Sequence, residues 1–302
     1  MSMSSDIQAD QEGLPNTYYI EPTNVCNLKC VLCPTPKSKR KKGFMDISLF
    51  ERIVDQIPQG SVIHLYHSGE PLLHPEIVLM VQLASERLLS TTLSTNGTKL
   101  TETLSLGLIE SGLNSINFSV DAANAKDYER TRVGSSFGLL LSNISQFLRL
   151  RDESGNSKLH TTATMVVTDR NRSTCDEFRE KFKEIGIDEP KLKQFLSWGK
   201  LVDCGDGVGV DVYDVEPPLC MEPFVKMVIL WDGSVVPCCP DCECLYPCGS
   251  AVTTSLGHIW NGSVLTDLRS NMSDAERYQY LPRMCKTCED MMRIRRPWLD
   301  QE

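Results

Sequence analysis

The chain has 302 residues, of which 41% are hydrophobic and 24% charged, and its formal net charge is −9 at pH 7. This composition is typical of a globular protein. The negative charge argues against a broad nucleic-acid-binding surface, and no apolar run approaches the roughly 18 residues that a transmembrane helix needs. We therefore expect neither a nucleic acid nor a membrane as a partner.

The first 15 residues are polar and acidic, and we expect them to form a flexible tail rather than a signal peptide. A cytoplasmic location is the corresponding expectation. Thirteen cysteines in a reducing compartment do not suggest a disulfide framework, so metal ligation explains their number better.

Residues 16–199 alternate short apolar runs with segments of helical periodicity. This alternation predicts an α/β fold, a partial (β/α)6-type parallel barrel with helices outside and its chemistry at the carboxyl ends of the strands. The predicted strands cover 17–21, 61–67, 90–96, 114–122, 159–167 and 191–196. The predicted helices cover 46–57, 75–87, 101–112, 139–152 and 175–186.

The segment EPTNVCNLKCVLCP, residues 21–34, follows the first predicted strand and carries Cys26, Cys30 and Cys33 in a C-x3-C-x2-C pattern. We call these cysteines the triplet. Three thiolates can hold three irons of a [4Fe–4S] cluster and leave the fourth iron open to a substrate or cosubstrate. A zinc site would need a remote fourth ligand. The basic run KSKRKK, residues 37–42, is either a solvated loop or a docking site for an anionic substrate or an acidic electron donor.

Beyond residue 200 the chain becomes rich in Gly, Pro and Cys, and we predict a second, smaller domain over 200–302. Two β-rich runs flank Asp232–Gly233, which predicts a hairpin. A C-x17-C pair and a later C-x2-C pair supply four thiolates, which we call the C-terminal quartet. Its members are Cys220, Cys238, Cys285 and Cys288. The quartet would saturate a second [4Fe–4S] cluster, and a four-cysteine zinc site is the alternative.

The triplet and its position resemble the radical S-adenosylmethionine (radical SAM) superfamily, and the resemblance extends over nearly the whole chain. It implies that the free iron of the cluster chelates the amino and carboxylate groups of S-adenosylmethionine. One-electron cleavage of that cosubstrate then yields methionine and a 5′-deoxyadenosyl radical, which abstracts a hydrogen atom from the substrate. The resemblance also implies an electron donor such as flavodoxin or ferredoxin. Leu32 departs from the family, which usually has an aromatic residue at this position.

Three further segments, HSGEP, LSTNG and FSVDA, are similar to cosubstrate-binding motifs of the family, and RTR, residues 130–132, follows the last of them. The expected cofactor-binding residues are Gly69, Glu70, Ser94, Asn96, Ser119 and Arg132. The family uses Glu70 against the ammonium group of the cosubstrate and a residue at the position of Ser119 near its carboxylate, and Arg132 is a candidate partner of that carboxylate through a bidentate pair. The alternatives are simple turns for the first two segments and a surface arginine for Arg132.

The C-terminal region resembles the SPASM domain of radical SAM enzymes, and its shortened form, the twitch domain, because no cysteine follows Cys288. The resemblance favours an auxiliary [4Fe–4S] cluster over zinc. It implies a small C-terminal iron–sulfur domain like that of the aminocyclitol dehydrogenases, which share these cysteine spacings.

The leading functional hypothesis is a radical SAM oxidoreductase that acts on a sugar, cyclitol or peptide and passes an electron to the auxiliary cluster. One alternative is an epimerase of a sugar or peptide residue, with Cys204 or Cys248 as the hydrogen donor. Another is a peptide-crosslinking maturase, and a non-catalytic iron–sulfur or zinc scaffold is the non-enzyme alternative. The other cysteines of the run 239–248 could hold a metal, donate hydrogen or be neutral replacements.

Overall fold

The computed structural model describes residues 13–156, 158–195, 198, 202, 220–286 and 288. Its centre is a sheet of nine strands in the order β6-β5-β4-β3-β2-β1-β7-β8-β9. The strands are β1 Thr17–Ile20, β2 Val62–His64, β3 Ser90–Thr95, β4 Ser115–Ser119, β5 His160–Val167, β6 Glu189–Gln194, β7 Lys226–Ile229, β8 Ser234–Val236 and β9 Gly249–Ser250.

The α-helices are α1 Ile47–Val54, α2 Ile77–Glu86, α3 Glu102–Glu110, α4 Ala125–Thr131, α5 Phe137–Glu153, α6 Cys175–Ile185, α7 Glu222–Val225, α8 Leu256–Trp260, α9 Ser263–Met272 and α10 Arg283–Lys286. Short 3-10 turns cover Thr35–Lys37, Pro71–Leu73, Arg172–Thr174 and Ala275–Tyr280. No helix in the described part of the chain is both long enough and apolar enough to cross a membrane.

The first six strands are all parallel and follow the chain order across the sheet. Half-buried and fully buried positions alternate along β3, because successive side chains of a strand point to opposite faces. Ile63, Leu93, Ile116 and Phe118 are fully buried in the common core. The parallel sheet with its outer helices confirms the predicted fold class.

Local sequence signals set the helix boundaries. The Asp46 side chain accepts a hydrogen bond from the Ser48 amide at the start of α1, and Gly186 ends α6 in the left-handed conformation. All five predicted helices are present, with ends displaced by three residues at most. Helix α4 was not predicted, although its cap Asn124, which accepts from the Asp127 amide, is a recognisable start signal.

The C-terminal hairpin joins the same sheet instead of forming one of its own. Strand β7 lies parallel to β1, with Tyr18 opposite Met227, and β8 returns antiparallel to β7. Gly233 makes the turn with φ +83°. The segment after the hairpin lies beside the loop that follows β1, where the Lys39 amide donates to the Glu243 carboxylate at 2.9 Å.

Candidate functional site

The triplet lies in the loop after β1, at the carboxyl edge of the sheet. Cys30 is buried, and Cys26 and Cys33 are half-buried. Backbone bonds from Lys29 to Val133 and from Val31 to Thr131 tie this loop to the end of α4. Burial raises the pKa of the Cys26 thiol to about 11, and the nearby Glu70, Cys30 and Cys33 charges act in the same direction. A metal centre would displace these thiol protons, as cysteine ligation requires.

Arg132 lies next to the triplet and is not a surface arginine. Its side chain is 14% exposed and forms an ion pair of 2.6 Å with Asp121. The Nη1 atom of Arg132 donates to the Cys30 sulfur at 3.7 Å, and its Nε atom is buried without a partner. A cation with an unused donor beside Cys30 fits an anionic group at this position.

Gly69 and Glu70 follow β2 and support the same edge of the sheet. Gly69 has φ +80°, and a Cβ atom there would lie 2.4 Å from the Thr23 carbonyl oxygen. Glu70 is only 2% exposed. Its carboxylate accepts hydrogen bonds from Thr95 Oγ1 at 2.6 Å and from the amides of Asn96 and Leu72 at 2.7 and 3.1 Å. Three of roughly four acceptor positions on this carboxylate are therefore filled by the protein.

The predicted residues on β3 and β4 form one polar cluster. The hydroxyls of Ser94 and Ser119 lie 3.3 Å apart, and Asn117 donates to Ser94 at 2.9 Å. Asn96 donates to the side chain of Asn27 in the triplet loop at 3.1 Å. The structure thus brings the triplet loop and the segments HSGEP, LSTNG and FSVDA together at the carboxyl ends of β1 to β4.

A buried charged network beside the triplet was not foreseen from the sequence. Glu21, which is 0% exposed, accepts two bonds from Arg40 Nη2 at 2.6 and 2.9 Å and pairs with His67 Nδ1 at 3.2 Å. The Trp231 amide also donates to Glu21, and His67 Nε2 lies 3.0 Å from the Cys239 carbonyl. We call these groups the Glu21 network, and it links the triplet loop to the C-terminal segment.

Part of the basic run is therefore structural. Arg40 is paired in the interior, and Lys42 donates to the carbonyls of Asn24 and Thr35 at 3.0 and 3.3 Å. The signal that identifies Glu21 is its place immediately after β1, where an acidic residue in a buried position requires a partner.

The C-terminal quartet surrounds one small pocket. All four of its cysteines line this pocket, together with apolar residues such as Met272 and Met284. Burial raises the pKa of Cys285 to about 12 and that of Cys238 in the same direction. Among the described residues, no three His, Cys, Asp or Glu side chains meet at the spacing of a single metal ion. Four thiolates around one pocket are the ligand set of a fully protein-ligated [4Fe–4S] cluster.

The main cavity has a volume of about 430 Å³ and opens beside the triplet. Cys30, Cys33 and Arg132 line one side, and Tyr19, Tyr66 and Lys193 line others. Glu222 and Pro240 line both this cavity and the pocket of the C-terminal quartet. The two cysteine groups are therefore reached from adjoining spaces.

The remaining cysteines differ in their positions. Cys248 is buried in the core, its sulfur donates to the Tyr246 carbonyl at 3.5 Å, and it is not among the residues that line the main cavity. Cys239 lines the main cavity, although no sequence pattern distinguishes it from the neighbouring cysteines. Trp198 also lines the cavity. Cys204 lies outside the described residues, as do most of the predicted tail 1–15 and the segment 203–219.

These features define an iron–sulfur enzyme with two cysteine groups, whose main cavity and quartet pocket adjoin each other. Residues 20–188 match the radical SAM superfamily, and residues 220–289 match SPASM, an iron–sulfur cluster-binding domain. The chain belongs to the radical SAM superfamily. Its cofactors are a [4Fe–4S] cluster, S-adenosylmethionine and an auxiliary [4Fe–4S] cluster, which confirms the predicted resemblance and cofactors.

Several known proteins are similar in sequence. The tungsten-containing aldehyde ferredoxin oxidoreductase cofactor-modifying protein of Pyrococcus furiosus is 27% identical over 73% of this chain and 70% of its own length. The PqqA peptide cyclase of Gluconobacter oxydans is 25% identical over 94% of this chain and 84% of its own length. Mycofactocin maturase MftC of Mycobacterium tuberculosis is 27% identical, and the match spans 52% of this chain and 39% of that protein.

Two solved structures share the fold at low sequence identity. BtrN in complex with AdoMet and 2-DOIA is 20% identical, with a TM-score of 0.62 over 91% of this chain and 93% of that chain. Streptococcus suis SuiB bound to precursor peptide SuiA is 15% identical, with a TM-score of 0.70 over 88% of this chain and 69% of that chain.

Proposed function

We propose that the protein is a radical SAM oxidoreductase that removes two hydrogens from a sugar, a cyclitol or a peptide residue. The observation that supports this proposal is that the main cavity and the pocket of the C-terminal quartet share part of their walls. Glu222 and Pro240 line both the main cavity and the quartet pocket, so a substrate in the cavity lies next to an electron acceptor. When bound, the first cluster with S-adenosylmethionine supplies a hydrogen-abstracting radical, and the auxiliary cluster supplies a one-electron acceptor.

The residues of this chain take the following roles in the proposal. The triplet holds the first cluster, and the C-terminal quartet holds the auxiliary cluster. Arg132 binds the carboxylate of S-adenosylmethionine through its unused Nε donor. Ser94, Asn96 and Ser119 complete the cosubstrate site from the polar cluster at the ends of β3 and β4.

The contribution of Glu70 is more specific than the sequence indicated. With three internal donors on its carboxylate, it has about one acceptor position left for the ammonium of S-adenosylmethionine. Its larger contribution is to hold the Gly69 turn against the ends of β1 and β3. Burial raises the pKa of Glu70, while the bonds from Asn96, Thr95 and Leu72 lower it.

The second candidate is an epimerase or another hydrogen-returning enzyme. The specific observation in its favour is Cys239, a thiol in the wall of the main cavity. A peptide substrate is supported by the PqqA peptide cyclase and by SuiB with its precursor peptide. The flavodoxin or ferredoxin donor and the cytoplasmic location remain predictions, and membership of an enzyme superfamily argues against a non-catalytic scaffold.

The deciding experiment is anaerobic incubation of the reconstituted enzyme with reductant, S-adenosylmethionine and candidate substrates in heavy water, followed by mass spectrometry. An oxidoreductase gives a product two hydrogens lighter, without deuterium at the reacting carbon. An epimerase gives a product with one carbon-bound deuterium, because thiol protons exchange with solvent.

Single alanine variants separate the two outcomes further. Cys239→Ala should retain product formation in an oxidoreductase and abolish it in an epimerase, while 5′-deoxyadenosine still forms. Cys175→Ala, which alters a half-buried thiol at the start of α6, is the matched control. A deuterated product that depends on Cys239 would overturn the oxidoreductase proposal.

A further inference from the structure

The wall of the main cavity offers hydrogen-bond donors that have no acceptor, while its carboxylates are already engaged. Asp121 pairs with Arg132 at 2.6 Å and accepts from the Val166 amide at 2.9 Å. Glu222 pairs with Lys226 at 2.7 Å. A ligand of this cavity must therefore bring acceptors of its own.

Two donors occupy consecutive positions at the carboxyl end of β6, and both residues line the main cavity. The Nε2 atom of Gln194 is buried without a hydrogen-bond partner. Lys193 lines the same cavity, and within the described part of the chain no carboxylate lies at ion-pair distance from its ammonium. The Gln194 donor is cut off from bulk water, whereas Lys193 as a whole residue is exposed, so an acceptor that fills this end gains one bond from a buried donor and one charge-assisted bond from the ammonium.

The charge around Lys193 indicates which kind of acceptor fits. Burial lowers the pKa of Lys193, and the positive charge of Lys191 acts in the same direction, against a smaller opposite effect of Asp121. An anion next to the ammonium would offset this penalty by both charge and hydrogen bonding, whereas a neutral acceptor would offset it by hydrogen bonding alone.

We propose that Lys193 and Gln194 bind an anionic oxygen group of the substrate, a carboxylate or a phosphate. The inference rests on the proposed function, since it takes the main cavity as the substrate site. The carboxylate of S-adenosylmethionine is assigned to Arg132, beside Cys30. Lys193 lies between the two sides of the cavity, because Asp121, the partner of Arg132, acts on the pKa of Lys193, and Lys193 and Lys226 both lower the pKa of His64 on β2.

The test uses small anions as probes of the reconstituted enzyme. Anaerobic isothermal titration calorimetry measures the binding of succinate and of inorganic phosphate, with 1,4-butanediol as a neutral molecule of similar length. We expect saturable binding of at least one anion and much weaker binding of the diol. A diol that binds as tightly as both anions would overturn the proposal.

Single substitutions test whether the anion binds at the end of the cavity formed by Lys193 and Gln194. Lys193→Met should lower the affinity for the anion at least tenfold, because a charge-assisted hydrogen bond is lost. Lys193→Arg should keep the affinity within about threefold of the wild-type value. Gln194→Met should lower the affinity for the anion roughly fivefold. Lys191→Met is the matched control, because Lys191 is on the same strand but is paired with Glu189. Equal affinities of Lys193→Met and the wild type, at equal iron content, would refute the assignment.

A third arm distinguishes the substrate from the cosubstrate as the source of the anionic group. Saturating S-adenosylmethionine should leave succinate binding in place, and Lys193→Met should bind S-adenosylmethionine as the wild type does. Displacement of succinate together with a tenfold loss of cosubstrate affinity would reassign Lys193 to the cosubstrate carboxylate. Formation of 5′-deoxyadenosine is measured separately. Anion binding without cosubstrate cleavage would contradict the proposed function but would still support the proposed anion site.

Discussion

Replacing Glu21 with Gln tests whether the Glu21 network holds the two cysteine groups together. The substitution keeps the shape of the side chain but removes its charge, and it leaves the 9% exposed Arg40 side chain without a counterion. Removal of one partner from a buried ion pair costs about 3–5 kcal/mol. We therefore expect Glu21→Gln to lower the free energy of unfolding by about this amount.

The pKa of Glu21 gives an independent value for the contribution of the Glu21 network to the free energy of unfolding. Burial alone would raise the pKa of Glu21, but the hydrogen bonds and charges of His67 and Arg40 lower it from 4.5 to about 2. This lowering corresponds to about 3 kcal/mol. Because the folded pKa lies below the unfolded one, the stabilisation is complete above about pH 5.5 and is lost as the pH falls toward 2. The advantage of the wild type over Glu21→Gln should thus shrink by about 0.8 kcal/mol between pH 7 and pH 4.

The assay is anaerobic urea unfolding followed by tryptophan fluorescence, at matched iron content. Glu189→Gln is the control, because this carboxylate is 50% exposed and its pairs with Lys191 and His160 contribute little. The double variant Glu21→Gln/Arg40→Met should cost at least about 2 kcal/mol less than the sum of its single variants. A loss below about 1 kcal/mol for Glu21→Gln, or strictly additive single variants, would refute the reasoning.

Two further predictions concern the cluster sites. Gly69→Ala should lower stability by about 2–4 kcal/mol and reduce iron loading, because the new Cβ would lie 2.4 Å from the Thr23 carbonyl. Gly60→Ala is its control, since Gly60 has the same φ of +80° but no atom within 4 Å, and equal losses in both variants would contradict the steric argument. Iron analysis of the reconstituted protein should give about eight irons per chain, and replacing the triplet with Ala should remove about half of them. A wild-type protein with about four irons and one tightly bound zinc would rule out two clusters.

Local patterns in the sequence were sufficient for most elements of the first domain, with helix α4 as an exception, and for the fold class. Apolar periodicity gave the six parallel strands and the five helices, because side-chain alternation and helical spacing depend on neighbouring residues alone. The spacing of Cys26, Cys30 and Cys33 indicated the cluster for the same reason, since three ligands within one loop need no long-range contact. The Asp232–Gly233 turn predicted its hairpin from two residues.

Long-range contacts decided the arrangement of the site. The sequence could not show that β7 would pair with β1, and this pairing carries Trp231 and Cys239 to Glu21 and His67. Nor could it show that Arg132 is buried against Cys30.

The cavity itself is a property of the tertiary structure. Its wall combines the ends of β1, β2 and β6 with the segment after β8, and its first and last lining residues, Tyr19 and Pro240, are more than 200 positions apart in the chain. The local sequence around Lys193, Gln194 and Cys239 is compatible with ordinary surface positions. Their part in the site is decided by which strands become neighbours, because packing of the whole sheet, and not the preference of any one segment, determines which side chains face a common space.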